Sequence, residues 1–136
     1  MDSYRLDQQV GFLMRRANQR HLSLFAAAIP DLTPTQFAAL AQLALLGPVS
    51  QNALGRATAM DGATIKGVVD RLRKRGFVGS VPDPKDQRRV VLSLTGAGRN
   101  AYQALVPDAH AVTEGTLEPL SESERAVFLD LLSRLG

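Results

Sequence analysis

Apolar side chains recur at helical spacing early in the chain: Leu6, Val10, Leu13, Ala17, Leu24 and Phe25 mark a long first helix that runs to about Ala28 and stops before Pro30. Thr33, Pro34 and Gln36 then spell a helix start, with Thr33 as N-cap, Pro34 in the first turn and Gln36 placed to close a capping box. The second helix is expected to run to Gly47-Pro48 and to bury Phe37, Leu40, Ala41 and Ala44. Ser50 opens a short third helix through about Ala57, with Leu54 inward. After a turn at Thr58 to Met60, Asp61 caps a fourth helix with the stripe Ile65, Val68, Val69 and Leu72, and Gly76 stands where a left-handed residue ends it.

Beyond Gly76 the period changes from helical to alternating, with Phe77, Gly79 and Val81 on one side and Val90, Leu92 and Leu94 after a polar stretch. This predicts a β-hairpin whose loop, Pro82 to Arg89, is long, stiffened by Pro82 and Pro84 and basic at its far side. Thr95 caps a further helix carrying Ala101, Tyr102, Leu105 and Val112, which Pro107 is expected to kink or interrupt. Ser121 and Glu124 form a capping box for the last helix, which is expected to bury Val127, Phe128, Leu131, Leu132 and Leu135. The fold class is therefore mostly α with a small β-hairpin.

Length and composition narrow the function. A chain of 136 residues holds one domain with its own core, and 45% hydrophobic with 21% charged residues excludes disorder of the whole. With no Cys there is no disulfide, thiolate metal site, Cys nucleophile or thiol redox switch. The opening MDSYRLDQQ is polar and acidic where a signal peptide is basic then apolar, and the longest nearly apolar run, Phe37 to Leu46, is about half a membrane span. A soluble cytoplasmic protein with no membrane partner is expected.

Charge is unevenly spread. Residues 1–60 carry five Arg or Lys against three acids, residues 61–100 nine against four, and residues 101–136 two against six. The basic centre suits a polyanion, although a solvated charged face has the same composition. Two helices joined by a tight turn and followed at once by a basic hairpin stand in the order of a winged helix-turn-helix. A capped helix enters the major groove by its N-terminal end, and a hairpin reaches phosphates or the minor groove. On the fourth helix Gly62, Ala63, Thr64, Lys66, Gly67, Asp70 and Arg71 lie away from the Ile65 stripe and are free to meet double-stranded DNA. Glycine costs roughly 1 kcal/mol relative to Ala inside a helix. Close approach to the duplex is one compensation, and helix packing is the other.

Three blocks, VVDRLRKRGFV at 68–78, DPKDQRR at 83–89 and VVLSLTGAG at 90–98, lie between a long first helix and a capped last one. In these the chain resembles the MarR family of bacterial transcription regulators over nearly its whole length. The resemblance implies a homodimer whose terminal helices interlock, and a repressor that often releases DNA when a small aromatic acid or phenol binds. It implies further that Asp86 orients basic partners in the wing, that Arg88 is the wing-tip residue directed to the minor groove with Arg89 a supporting cation, and that Arg71 is the recognition-helix arginine. Lys85 belongs to the same wing. Asp61 and Gly62 stand where relatives commonly have Ser and another small residue, which leaves the bases read undetermined. Gln51, Asn52 and Arg56 are candidate phosphate contacts or a solvated face.

Gly96-Ala97-Gly98-Arg99-Asn100-Ala101 fits a dinucleotide-binding fingerprint between a strand and a helix. The acids about twenty residues on, Glu114 and Glu118, follow no strand, so the enzyme reading lacks its second parallel strand and no cofactor is expected. No Walker loop, HExxH or nucleophile elbow occurs. On the first helix His21 shares the inward side with Ala17 and Phe25, and Arg16 and Arg20 lie beside it. These are candidate contacts for a carboxylate ligand whose ring packs on walls such as Phe25 and Phe37; a satisfied core histidine flanked by surface arginines is the plain alternative. The RRANQRH stretch is similar to family members that regulate breakdown of aromatic or nicotinate-type acids. His110 and Glu114 have metal-compatible spacing, but two such residues on a helix make no site, and no metal is expected. The expectation is a single domain over 1–136, with a DNA-binding part at about 33–94 and dimerisation helices at about 1–30 and 96–136. It is expected to repress from a pseudo-palindromic operator until an aromatic acid binds. The alternative is a ligand-independent architectural or protein-interaction winged helix.

Overall fold

A computed structural model describes residues 3–136. Six α-helices and one hairpin follow a single 3-10 turn at Leu6–Gln8: α1 (Val10–Ala28), α2 (Pro34–Leu46), α3 (Gln51–Ala57), α4 (Gly62–Lys74), β1 (Val78–Asp83), β2 (Asp86–Leu94), α5 (Gly96–Leu117) and α6 (Glu122–Ser133). The chain divides into two compact units, Asp31–Val106 and the residues up to Pro30 together with Pro107–Gly136.

In the central unit the helix starts are fixed by local chemistry. Thr33 and Gln36 close a reciprocal capping box on α2. Ser50 accepts from the Ala53 amide, and Asp61 accepts from the Thr64 amide at 2.7 Å. The stripe Ile65, Val68, Val69 and Leu72 is buried as the spacing requires, and Leu54 is fully enclosed. The α2 stripe is displaced from expectation: Ala39, Leu40 and Leu43 are buried, while Phe37, Ala41 and Ala44 are only half-buried. A helix reading PTQFAALAQLALL is apolar nearly all round, so its spacing leaves the buried face undetermined. Phe37 instead pairs with Tyr102, ring centroids 5.6 Å apart.

The hairpin corrects the expected long loop. β1 and β2 pair from Val78↔Leu94 to Pro82↔Val90, the register then jumps to Asp83↔Asp86, and Pro84-Lys85 is the turn. Gln87, Arg88 and Arg89 thus bulge from β2 opposite no partner. The buried strand positions are Val78, Val91 and Leu92, whereas Val81 and Val90 are exposed, so the expected alternation fails in the outer half. Val49 adds a two-bond bridge to Leu92 (2.7 and 3.1 Å), anchoring the hairpin base beside α3.

Thr95 caps α5 by accepting from the Gly98 amide and donates its own proton to the Gly76 carbonyl. A Cβ on Gly98 would lie 2.0 Å from the Phe77 carbonyl oxygen. The fingerprint glycine is therefore a packing residue at the helix–strand junction. α5 continues through Pro107 without interruption.

In the other unit α1 begins at Val10, later than the apolar spacing suggests, because Leu6 lies in the 3-10 turn and Gln9 offers no side-chain cap. α6 starts at the expected Ser121–Glu124 capping box. Its apolar positions are not buried within the chain: Val127, Phe128, Leu131, Leu132 and Leu135 are all exposed, as are Val10, Leu13 and Met14 on α1. Among the described residues no helix is long and apolar enough to cross a membrane.

Candidate functional site

The central unit brings α3, α4 and the hairpin together. α4 buries its Ile65 stripe and leaves Gly62, Ala63, Thr64, Lys66 and Arg71 exposed, with Gly67 half-buried. Neither glycine is demanded by packing within the chain. A Cβ on Gly62 meets nothing within 4 Å, and one on Gly67 meets only the Arg71 guanidinium at 3.5 Å. Gly55 differs, since a Cβ there would lie 3.2 Å from both Ile65 and the Met60 carbonyl, which sets the close approach of α3 to α4.

Not every cation on α4 is available to a polyanion. Lys66 pairs with Asp70 at 2.9 Å, and that hydrogen bond holds the Asp70 carboxyl below its ordinary range. Arg73 donates to the Ser80 hydroxyl, tying α4 to β1. Arg75 donates to the Asp31 carbonyl and lies 4.9 Å over the Phe77 ring. Asp61 is likewise held below its ordinary range by the Thr64 amide and hydroxyl, so it stays ionised at the N-terminal end of α4.

The wing is built from two successive aspartate turns. Asp83 accepts from the Lys85 amide at 2.9 Å, and Asp86 accepts from the Arg88 amide at 3.1 Å and from Arg88 Nε at 3.2 Å. The Arg88 side chain is held at its root yet 93% exposed. An ion pair so exposed contributes little stability, and its effect is to aim the guanidinium. Arg89 lines a groove of about 750 Å³ with Asn52 and Arg56 of α3 and Asp83 and Lys85 of the wing. Spacing alone does not join Asn52 and Arg56 to the wing, because the Val49–Leu92 bridge that brings them together is a long-range contact with no local signature.

In the terminal unit Arg20 and His21 meet the end of α5. Arg20 donates to the carbonyls of Gly115 (2.6 Å) and Thr116 (2.8 Å), and His21 Nδ1 lies 2.9 Å from the Thr116 hydroxyl. Arg20 thus caps the carbonyl end of α5, where Gly115 also accepts from the Glu118 amide. Arg16 lies 5.4 Å over the Phe12 ring, and Phe25 is buried. Five residues apart, Arg16 and His21 leave α1 about 140° from each other, so the structure does not bring the whole expected set together on one side. His110 is exposed and Glu114 pairs with Arg125 at 2.6 Å.

The MarR family model matches residues 31–89, the segment holding α2, α3, α4 and most of the hairpin. The transcriptional repressor NicR of Pseudomonas putida is 42% identical over 97% of this chain and 85% of its own length. The chain belongs to the MarR family. A probable transcriptional regulator from Pseudomonas aeruginosa superposes with a TM-score of 0.94 at 50% identity, covering 97% of this chain and all of that one. BpsR of Bordetella bronchiseptica, whose DNA binding is regulated by 6-hydroxynicotinic acid, superposes with a TM-score of 0.93 at 38% identity over 98% and 97% of the two chains. This MarR-family chain is a winged-helix transcription regulator, and its family decides for regulation over the dinucleotide enzyme.

Proposed function

We propose that the chain is a cytoplasmic repressor that acts as a homodimer on a pseudo-palindromic operator and is released by a small aromatic acid. Residues 31–106 carry the DNA-reading surface. Gly62, Ala63, Thr64, Lys66, Gly67 and Arg71 of α4 face the major groove. Lys85, Asp86, Arg88 and Arg89 serve the wing, with Arg88 entering the minor groove. Arg56, across the groove from Arg89, meets the phosphate backbone between them.

The observation that carries this reading is the wing tip. A three-residue bulge places Arg88 outside the sheet, Asp86 fixes its root, and nearly all of its surface is open. An arginine so held has lost part of its freedom before any partner arrives, which lowers the entropic cost of inserting it into a groove. The open space at Gly62 and Gly67 lets the α4 backbone approach a duplex closely. The exposed apolar faces of α1 and α6 are what a second copy covers, because large apolar patches on a folded chain mark interaction surfaces.

The effector reading rests on the family likeness and on His21 of α1, one helical turn from the buried Phe25, with Arg20 holding the neighbouring helix end and Arg16 on another side of α1. BpsR, regulated by 6-hydroxynicotinic acid, supports the class of ligand. The test is a gel shift against the DNA upstream of the chain's own coding region, with and without hydroxybenzoates and pyridine carboxylates. A shift lost on adding one of these acids is expected; no shift on that DNA, or one indifferent to every acid, overturns the corresponding half of the proposal.

A further inference from the structure

On the reading face of α4 one ion pair runs against the helix. Lys66 Nζ donates to Asp70 at 2.9 Å one turn further on, so the cation lies toward the N-terminal end and the carboxylate toward the C-terminal end. The helix dipole favours the opposite order, and an i,i+4 pair on an open surface contributes little stability even in the better one. Helix stability therefore does not account for the pair. Arg73 and Lys74 also bear on Asp70, yet Lys66 is the cation that its carboxylate binds.

The pairing changes what Lys66 can bind. A free lysine gains from any phosphate by releasing condensed counterions, whatever the sequence. A lysine already neutralised by a carboxylate must first lose that partner, and the carboxylate left behind is repelled by the same phosphates. An ammonium has three hydrogens, however, and Asp70 takes one. The Lys66 side chain is 68% exposed, so the others are open to an acceptor that is not an anion. The major-groove edge of guanine is such an acceptor, with N7 and O6 side by side; adenine and cytosine set an amino group there, and thymine one oxygen beside a methyl. Approach is unobstructed, because Gly62 stands one turn before Lys66 and Gly67 beside it, and a Cβ on Gly62 would meet nothing within 4 Å.

We propose that Asp70 is a positioning residue that keeps Lys66 off the phosphate backbone and makes it the reader of one guanine in each half-site. This rests on the DNA-reading surface above and assigns Lys66 its base. Asp70 acts through Lys66, as a repulsive element against every sequence that offers phosphates alone.

The test selects bound duplexes from a randomised double-stranded library and sequences them, beside titrations of a non-operator duplex across salt. Wild type and Asp70→Glu, which keeps a carboxylate one turn from Lys66, should enrich guanine about tenfold at one position of each half-site. Asp70→Asn should lose that preference, bind the non-operator duplex more tightly, and steepen the fall of log K with log salt by about one unit as Lys66 turns to a phosphate. Lys66→Gln should lose the same guanine without steepening the slope, and adding Asp70→Asn to it should change the base preference no further. Melting temperatures near that of wild type check that the variants fold. An Asp70→Asn protein with wild-type preference and slope overturns the proposal, as does one weakened equally on every sequence. A wild type that selects sites with no guanine dependent on Lys66 overturns it and leaves the DNA-reading surface standing. A wild type that selects no sequence overturns both.

Discussion

The two units bury their apolar residues very differently. Of the sixteen buried apolar side chains among the described residues, twelve belong to Asp31–Val106 and only Phe25, Ile29, Val112 and Leu117 to the terminal helices. Of the sixteen large apolar side chains left exposed, the proportion is inverted, and Leu45, Leu46, Val81 and Val90 are the four in the central unit. At roughly 25 cal/mol per Å² of apolar surface removed from water, a surface left so open on the terminal helices is a source of association energy. The same chain therefore holds one region that closes on itself and offers its polar groups to a partner, and another that offers its apolar groups.

The largest expected effect breaks the open region. Removing residues from Ser121 onward, or placing Glu at both Leu131 and Leu135, should yield monomers by sedimentation. Operator affinity should fall about a thousandfold or more, toward non-specific levels. A truncated chain that still dimerises and binds would contradict the role assigned to α6.

The next breaks the closed region's surface. Arg88→Ala should weaken operator binding about tenfold or more and flatten the dependence of log K on log salt by about one unit. Arg5→Ala, which removes only an exposed pair with Asp7, should do neither. Equal effects in a fluorescence titration would reduce the wing to a structural element.

Two glycines in the central unit sharpen the contrast between core and surface. Gly98→Ala drives a methyl into the Phe77 carbonyl and should lower stability by about 1 to 3 kcal/mol. Gly67→Ala has room and should raise stability by up to about 1 kcal/mol while lowering operator affinity. Thermal melts beside binding curves check both, and a Gly67→Ala variant that binds as well as wild type would remove the close-approach argument.

The smallest expected effect is on pH. The Asp61 and Glu124 carboxyls are held below their ordinary 3.8 and 4.5, Asp61 by hydrogen bonds from Thr64 and Glu124 by those from Ser121. A carboxyl whose folded pKa is depressed contributes stability above its unfolded value and loses it as pH falls through the folded one. An Asp61→Asn, Glu124→Gln double variant should therefore lose less melting temperature than wild type on acidification below about pH 5. Parallel curves would mean that the charged caps carry no weight.

What could be read along the chain follows the range of the forces involved. The Thr33, Ser50, Asp61 and Ser121 caps and the Ile65 stripe are legible because caps act across three residues and a stripe repeats every turn. Failure came where packing is long-range or a segment lacks a buried face. The outer wing is paired only at Pro82, Asp83 and Asp86 and has both faces wet, so Pro82 to Arg89 carries no alternating signal and looks like a loop. Arg20 looks like a free cation because the carbonyls it holds lie 95 and 96 residues away. Arg73 and Arg75 share the same run of basic residues as Arg71, yet a hydroxyl and a carbonyl elsewhere in the fold engage the first two. The residues placed at the DNA surface and at the effector site come from the family likeness together with exposure, and the groove joining Arg56 to Arg89 comes from the fold.

One measurement goes straight to the division of labour between the two regions: the stoichiometry and footprint of the wild-type protein on its operator, taken together by sedimentation and hydroxyl-radical cleavage. Two chains per duplex are expected, protecting a twofold-symmetric site with half-sites about one helical turn, roughly 10 bp, apart centre to centre. A single chain bound at full affinity to one unpaired half-site would contradict it, since the exposed faces of α1 and α6 would then have no part in placing the recognition helices.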